Sequence, residues 1–268
     1  MKEGRPHGYG EYTQTDGSRY RGEFHEGGMH GRGIFTFRED GRKIRYDGEF
    51  ESGQPNGRGV RTHPREGRYE GEFQNSIKHG RGVQDYPSGS RYDGEWMQGK
   101  YHGRGIKTDR DGTRYEGGYN DDKYHGQGVL MDSDGSRYQG GFQNGLRHGQ
   151  GVLTNTDGMR YEGGYHEGWR HGQGVLTKAD GMRYEGGYHK GDRHGQGILV
   201  ESDGTRYEGG FHKGFRHGRG RQVETDGSVY EGTWKNGRRT VGARSPLTTQ
   251  VLKDLHDRIL ALESKVSL

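Results

Sequence analysis

The amino-acid sequence predicts an all-β protein: an elongated, single-layer, twisted antiparallel sheet of tandem 23-residue β-hairpins, with a short C-terminal α-helix. Three observations lead there. Tyrosine recurs as Tyr20, Tyr46, Tyr69, Tyr92, Tyr115, Tyr138, Tyr161, Tyr184, Tyr207 and Tyr230, with eight of the nine intervals at 23 residues and the first at 26. A fixed period of this length marks a stacked-repeat architecture. Each period carries a short segment of alternating side chains, the pattern of a strand. Most periods close on Asp-Gly, a strong hairpin signal between strand candidates. Arrays of this kind offer long repetitive surfaces rather than one deep catalytic pocket.

Composition fits an array better than an ordinary globule. Leu, Ile, Val and Phe supply 36 of the 268 residues, below the roughly 20% at which a conventional core becomes doubtful. Disorder is ruled out by the period, because a disordered chain has no reason to place a ring every 23 residues. The apolar material is aromatic instead, with 18 Tyr, 8 Phe and 3 Trp. The 56 glycines are spaced rather than clustered, against a flexible linker, and do not fall at every third position, against collagen. The absence of cysteine excludes disulfides, thiolate metal sites and thiol nucleophiles. A net charge of +4 from 42 basic and 38 acidic residues is too mixed to imply nucleic acid. No apolar run reaches signal-peptide or membrane-spanning length, so the chain reads as cytoplasmic or as part of a cytoplasmic assembly.

Within one period, Arg183 to Tyr188 alternates: Tyr184, Gly186 and Tyr188 share one face, and Arg183, Glu185 and Gly187 the other. A connection across His189 to Arg193 supplies a glycine for a turn, a second strand is expected around Gly195 to Val200, and Asp203-Gly204 closes the unit. A second ring column follows four residues after the first: Phe24, Phe50, Phe73, Trp96, Tyr119, Phe142, Tyr165, Tyr188, Phe211 and Trp234. Glycine lies between the two rings in every repeat, which leaves room for a ring of the next strand to cover the backbone. The expected structural groove is therefore Tyr92, Trp96, Tyr115, Tyr119, Tyr138, Phe142, Tyr161, Tyr165, Tyr184, Tyr188, Tyr207 and Phe211. On the opposite face an Arg before nine of the ten column tyrosines and an acid after eight of them predict a solvated ion-pair ladder.

Residues 1–19 read as a partial first repeat, 20–237 as ten repeats, 238–246 as a linker and 247–267 as an amphipathic helix. Three extra residues between Arg38 and Arg45, and the loss of Asp-Gly at His63 to Gly67, predict local irregularity. The first part-repeat leaves an edge open to another element, and the last repeat, lacking His-Gly, reads as a cap. In the tail, Leu252, Leu255, Ile259, Leu262 and Val266 fall at heptad spacing and must be buried somewhere: in a homodimer, on the sheet, or among a partner's helices.

The core pattern Tyr-Glu-Gly-x-aromatic-x-x-Gly-x-x-His-Gly-x-Gly resembles the MORN (membrane occupation and recognition nexus) repeat. YEGGYHEGWRHGQG from Tyr161 and YQGGFQNGLRHGQG from Tyr138 are examples, and the match covers Tyr20 to Gly237. The resemblance implies a sheet of successive hairpins and a scaffolding role. Family settings include radial spoke heads of cilia and flagella, cytoskeletal collars of protists, junctional membrane complexes and the docking of partner helices.

Sites for chemistry are scarce. The column His7, His30, His79, His102, His125, His148, His171, His194 and His217 invites a metal. Two strands per repeat, however, put neighbours about 10 Å apart, too far to share an ion. These histidines are expected to brace a turn at His-Gly. The Gly-x-Gly pairs lack a phosphate-loop context, and no catalytic arrangement stands apart from the repeat. No enzyme activity and no cofactor are expected. The expected partners are other proteins of a large assembly, in an axoneme or elsewhere in the cytoskeleton. The alternatives are a tether to anionic lipid, which lacks a polybasic cluster, and a regulatory repeat subunit of a cytoskeletal complex.

Overall fold

The computed structural model describes residues 5–245, which form β-strands and, among the described residues, no helix. The chain divides into two compact units, Met1–Leu146 and Arg147–Leu268. The first runs from strand Gly8–Thr13 to Arg137–Gln143. The second runs from Leu146–Thr154, whose first residue closes the first unit, to Arg238–Ser245. Within each unit a strand pairs antiparallel with its neighbours in sequence, so each unit is a meander in one layer.

Two turns alternate. Strands Arg183–His189 and Asp192–Val200 join through two residues, Lys190 (φ 49°) and Gly191 (φ 93°). Positive φ at both central positions defines a type I′ turn, whose twist matches that of the flanking strands. The Asp-Gly pair sits instead in a five-residue loop to the next strand. There Glu201 N–H donates to Thr205 O at 2.8 Å, Gly204 N–H to Glu201 O at 3.0 Å, and Thr205 N–H to Asp203 Oδ1 at 2.8 Å. That last bond holds the Asp203 carboxyl below its usual range.

The core is a layer of rings on glycine. Gly186 pairs with Gly197, and Gly197 with Gly209, so glycines face one another across successive strands. A Cβ on Gly197 would lie 2.6 Å from the Tyr184 hydroxyl, and one on Gly186 would lie 2.5 Å from Gly197 Cα. The covering ring for both glycines is thus Tyr184, which lies over Gly186 of its own strand and over Gly197 of the next. Its hydroxyl donates to Gly187 O at 2.9 Å, tying down the carbonyl at a β-bulge where the register shifts between Gly186 and Tyr188. Tyr161 and Tyr207 do the same to Gly164 O and Gly210 O, both at 3.0 Å. Rings then meet edge to face: Tyr184 with Tyr188 at 5.2 Å and 88°, and with Phe211 at 5.0 Å and 82°. Such contacts add about 0.5–1.5 kcal/mol each beyond area burial.

The first four repeats build their bulges differently. Where the repeats from Tyr115 to Phe211 have Gly-Gly, they have Gly-Glu at Glu23, Glu49, Glu72 and Glu95. Glu95 Oε1 accepts from Arg104 N–H at 3.0 Å, and Glu23 Oε1 from Arg32 N–H at 3.0 Å, so the carboxylate satisfies the exposed amide.

Three expectations change. The extra residues after Arg38 make no irregularity. They lengthen one hairpin, with Phe37 opposite Ile44, Glu39 opposite Arg42, and a two-residue turn at Asp40 (φ 49°) and Gly41 (φ 73°). At the missing Asp-Gly, His63 takes over: its Nδ1 accepts from Arg65 and Glu66 N–H at 3.1 and 3.0 Å. Residues Arg238–Ser245 are a strand, not a linker, because Asn236 and Gly237 form one more type I′ turn. That strand sets Gly242 against Gly232 and extends the glycine row.

Candidate functional site

The rings expected to line a groove are the core itself. Tyr92, Tyr115, Tyr161, Tyr184 and Tyr207 are 0% exposed and Tyr138 1%; Trp96, Tyr119, Phe142, Tyr165, Tyr188 and Phe211 are 4–5% exposed. A partner therefore meets what lies over the rings. The stripe Leu252, Leu255, Ile259, Leu262 and Val266 lies outside the described residues.

What lies over the rings is a further column, set by register opposite the second ring: Met29, Pro55, Lys78, Tyr101, Tyr124, Arg170, Arg193, Arg216 and Arg239. Arg170, Arg193, Arg216 and Arg239 place their guanidinium groups 4.9, 5.5, 5.1 and 4.6 Å from the rings of Tyr161, Tyr184, Tyr207 and Tyr230. Those distances are within cation–π range. In the first unit Lys78 lies 5.2 Å from Tyr69 and 4.9 Å from Trp96, and burial pushes its pKa down. Tyr101 and Tyr124 instead stack flat on Tyr92 and Tyr115 at 3.8 and 3.7 Å. Supporting bonds fix these covers. Gln84, 1% exposed, accepts from Lys78 Nζ at 2.6 Å and donates to Glu66 O at 2.6 Å. Arg216 donates to Gln222 Oε1 at 2.7 Å and to Glu201 Oε1 at 2.5 Å. The column was not among the sequence expectations; its signal in the sequence is the residue before each His-Gly, which changes from Lys to Tyr to Arg on the same period.

The opposite face carries the expected ion pairs, formed within strands: Arg45–Asp47 2.6 Å, Arg68–Glu70 2.6 Å, Arg160–Glu162 2.7 Å and Arg183–Glu185 2.6 Å. All are about half exposed and contribute about 0–1 kcal/mol each.

The same face holds the histidines, and further rings stand in the expected gaps of about 10 Å between neighbours of the His-Gly column. A second set, His166, His189 and His212, closes each first strand and fills the gaps in the His-Gly column. Ring centroids run His148–His166 5.1 Å, His166–His171 5.6 Å, His171–His189 5.1 Å, His189–His194 5.7 Å, His194–His212 5.0 Å and His212–His217 5.5 Å. Nor does His-Gly make a turn, for Gly195 (φ 74°) lies within strand Asp192–Val200, near the bulge. The Nδ1 atoms of His102, His125 and His217 are buried without a hydrogen-bond partner. No group of three or more His, Asp or Glu side chains converges to hold a metal among the described residues.

His212 carries a lowered pKa, from desolvation first and then from His194, His217 and Lys213. A lowered imidazole pKa means the unfolded chain binds the proton more readily, so this contribution is lost as pH falls below about 6.5. In chelator-treated buffer the melting temperature is expected to fall between pH 7.5 and 5.5, and His212→Gln to flatten that slope. A slope unchanged by the substitution contradicts the assignment.

A meander of hairpins with a ring-on-glycine core defines a β-hairpin repeat protein. The chain belongs to the MORN repeat family, whose model matches residues 1–19, 20–42, 46–68, 69–91, 92–114, 115–137, 138–160, 161–183, 184–206, 207–229 and 230–241. The gap at 43–45 is the site of the lengthened hairpin. No curated relative matches the chain. Among solved structures, the TCP10 domain of Danio rerio CPAP in complex with a STIL peptide is similar at 12% identity and a TM-score of 0.43, covering 88% of this chain and 98% of that one. The SAS-4 (dCPAP) TCP domain of Drosophila melanogaster, in complex with a proline-rich motif of Ana2 (dSTIL), is similar at 9% identity and a TM-score of 0.32, covering 53% and 84%. At these scores the likenesses are too distant to bear on what this chain binds.

Proposed function

We propose that this chain is a non-catalytic scaffold that docks other proteins along the column over its rings, within a large cytoskeletal assembly. Among family settings we favour a ciliary or flagellar axonemal complex such as a radial spoke head, by family analogy. One observation carries the docking reading: rings, glycines and turns recur in each repeat, while the cover changes from Lys78 through Tyr101 and Tyr124 to Arg170, Arg193 and Arg216. A surface that varies on a constant frame is how a repeat array discriminates partners. The arginines of the second unit suit an acidic partner segment. The lipid-tether alternative is weaker, because outward arginines such as Arg45, Arg68, Arg160 and Arg183 already hold carboxylates. The C-terminal stripe from Leu252 to Val266 serves assembly, with a partner or a second copy.

The test is the triple substitution Arg170→Met, Arg193→Met and Arg216→Met, which keeps cover over the rings and removes charge. The expected result is a folded protein that loses co-purification with its native assembly and does not float with anionic vesicles. Undiminished co-purification, or robust flotation of the wild-type chain, overturns the reading.

A further inference from the structure

The imidazole chain of the second unit is used by neither the fold's core nor the proposed docking column. Seven histidines occupy seven consecutive strands, from Leu146–Thr154 to Phe215–Val223. Exposed and half-buried rings alternate: His166, His189 and His212 are exposed, and His148, His171, His194 and His217 are half-buried. We propose that this ladder binds divalent transition-metal ions, Zn²⁺, Ni²⁺ or Cu²⁺, each held by one pair of rings: His148 with His166, His171 with His189, and His194 with His212.

Ring spacing carries the argument. Neutral imidazole is a ligand for these ions. With Zn–N at about 2.0–2.1 Å, an ion lies about 3.2 Å from the centre of each ring it binds, and two rings at a tetrahedral angle then have centroids about 5.2 Å apart. The three pairs measure 5.1, 5.1 and 5.0 Å. The alternative frame, His166 with His171 and onward, measures 5.5–5.7 Å and fits less well. Among the described residues no third His, Asp or Glu side chain converges on a pair, so the remaining positions are open to water or to a partner's ligand. Successive pairs are two strands apart, about 10 Å, so repulsion between bound ions is largely screened at physiological salt. The first unit supplies an internal control. Met97, Asn120 and Gln143 stand where His166, His189 and His212 stand in the second, so His102 and His125 have no pairing ring. Among the described residues its first repeats restore the ladder, His7 with His25 at 5.2 Å and His25 with His30 at 5.3 Å, and the shared His25 leaves room there for one ion.

Equilibrium dialysis of the untagged full chain against Zn²⁺, with elemental analysis, tests the proposal. About four bound ions per chain are expected, three from the second unit and one from His7 and His25. The triple variant His166→Gln, His189→Gln, His212→Gln alters exposed side chains only and should keep its circular dichroism while falling to about one ion. Imidazole nitrogen NMR in Zn²⁺ should shift the ladder rings and spare His102 and His125. Fewer than one ion bound by the wild type, or equal binding by the triple variant, overturns the proposal.

Discussion

Gly163→Val is expected to open the sheet locally and to cost about 3 kcal/mol or more, at the upper end of overpacking effects. A Cβ at this position would meet Gly174 Cα at 2.5 Å, Gln173 O at 2.6 Å and the Tyr161 hydroxyl at 2.7 Å. Two of the three are backbone atoms of the partner strand and cannot swing away. Relief requires separating Gly163 from Gly174 or expelling the Tyr161 ring. Expulsion forfeits the edge contacts of that ring with Tyr165 at 5.3 Å and Tyr188 at 5.1 Å, so the damage spreads to the next repeat. Tyr161→Phe should fall between, at about 1–2 kcal/mol, since it removes only the hydroxyl that donates to Gly164 O. Glu162→Gln loses one exposed ion pair and should cost at most about 1 kcal/mol. Thermal melts of the three variants give the order directly. A Gly163→Val protein melting with Glu162→Gln would remove the basis for the ring-on-glycine core.

That core was legible from periodicity, because two rings and a glycine on alternate positions of a strand allow little else. Which ring covers which glycine was not. Tyr184 covers Gly186 of its own strand and Gly197 of the next while its hydroxyl meets the Gly187 carbonyl at a bulge, and a bulge changes register without changing the repeat length. Turn chemistry was half legible. Asp-Gly drew attention as a hairpin signal, yet the tight turn is Lys190-Gly191, where a non-glycine residue adopts positive φ because the strand twist demands it. The histidine ladder escaped for a simpler reason. Its second set is complete only from His166 onward, and side chains far apart in sequence meet across strands that a single period does not reveal. The cover column escaped likewise: Lys78, Tyr101 and Arg170 share no chemistry by which to be grouped, only a register.

Alkali is expected to unfold the protein in one cooperative step between about pH 10 and 12. Burial raises the pKa of the column tyrosines from the usual 10.0: Tyr20, Tyr184 and Tyr207 to about 12, and Tyr46, Tyr69, Tyr92 and Tyr115 further. A raised phenol keeps its proton in the fold after the unfolded chain has lost it. Stability is therefore complete below pH 10 and declines as pH climbs through 12, with a slope set by the number of phenols that differ. Seven or more such groups make the slope steep. Each phenolate would also face the carbonyl it formerly donated to, as Tyr184 faces Gly187 O. Phenolate absorbance and circular dichroism, followed together, should change in the same step. Tyr184→Phe provides the discriminating case. It should lower stability near pH 7, where the hydroxyl contributes its hydrogen bond, yet lessen the pH dependence above 10, where one titrating group is gone. The two stability curves should converge as pH rises. Gradual phenolate formation with unchanged circular dichroism through pH 12 would mean that the rings are reached by solvent and that the core is not built on them.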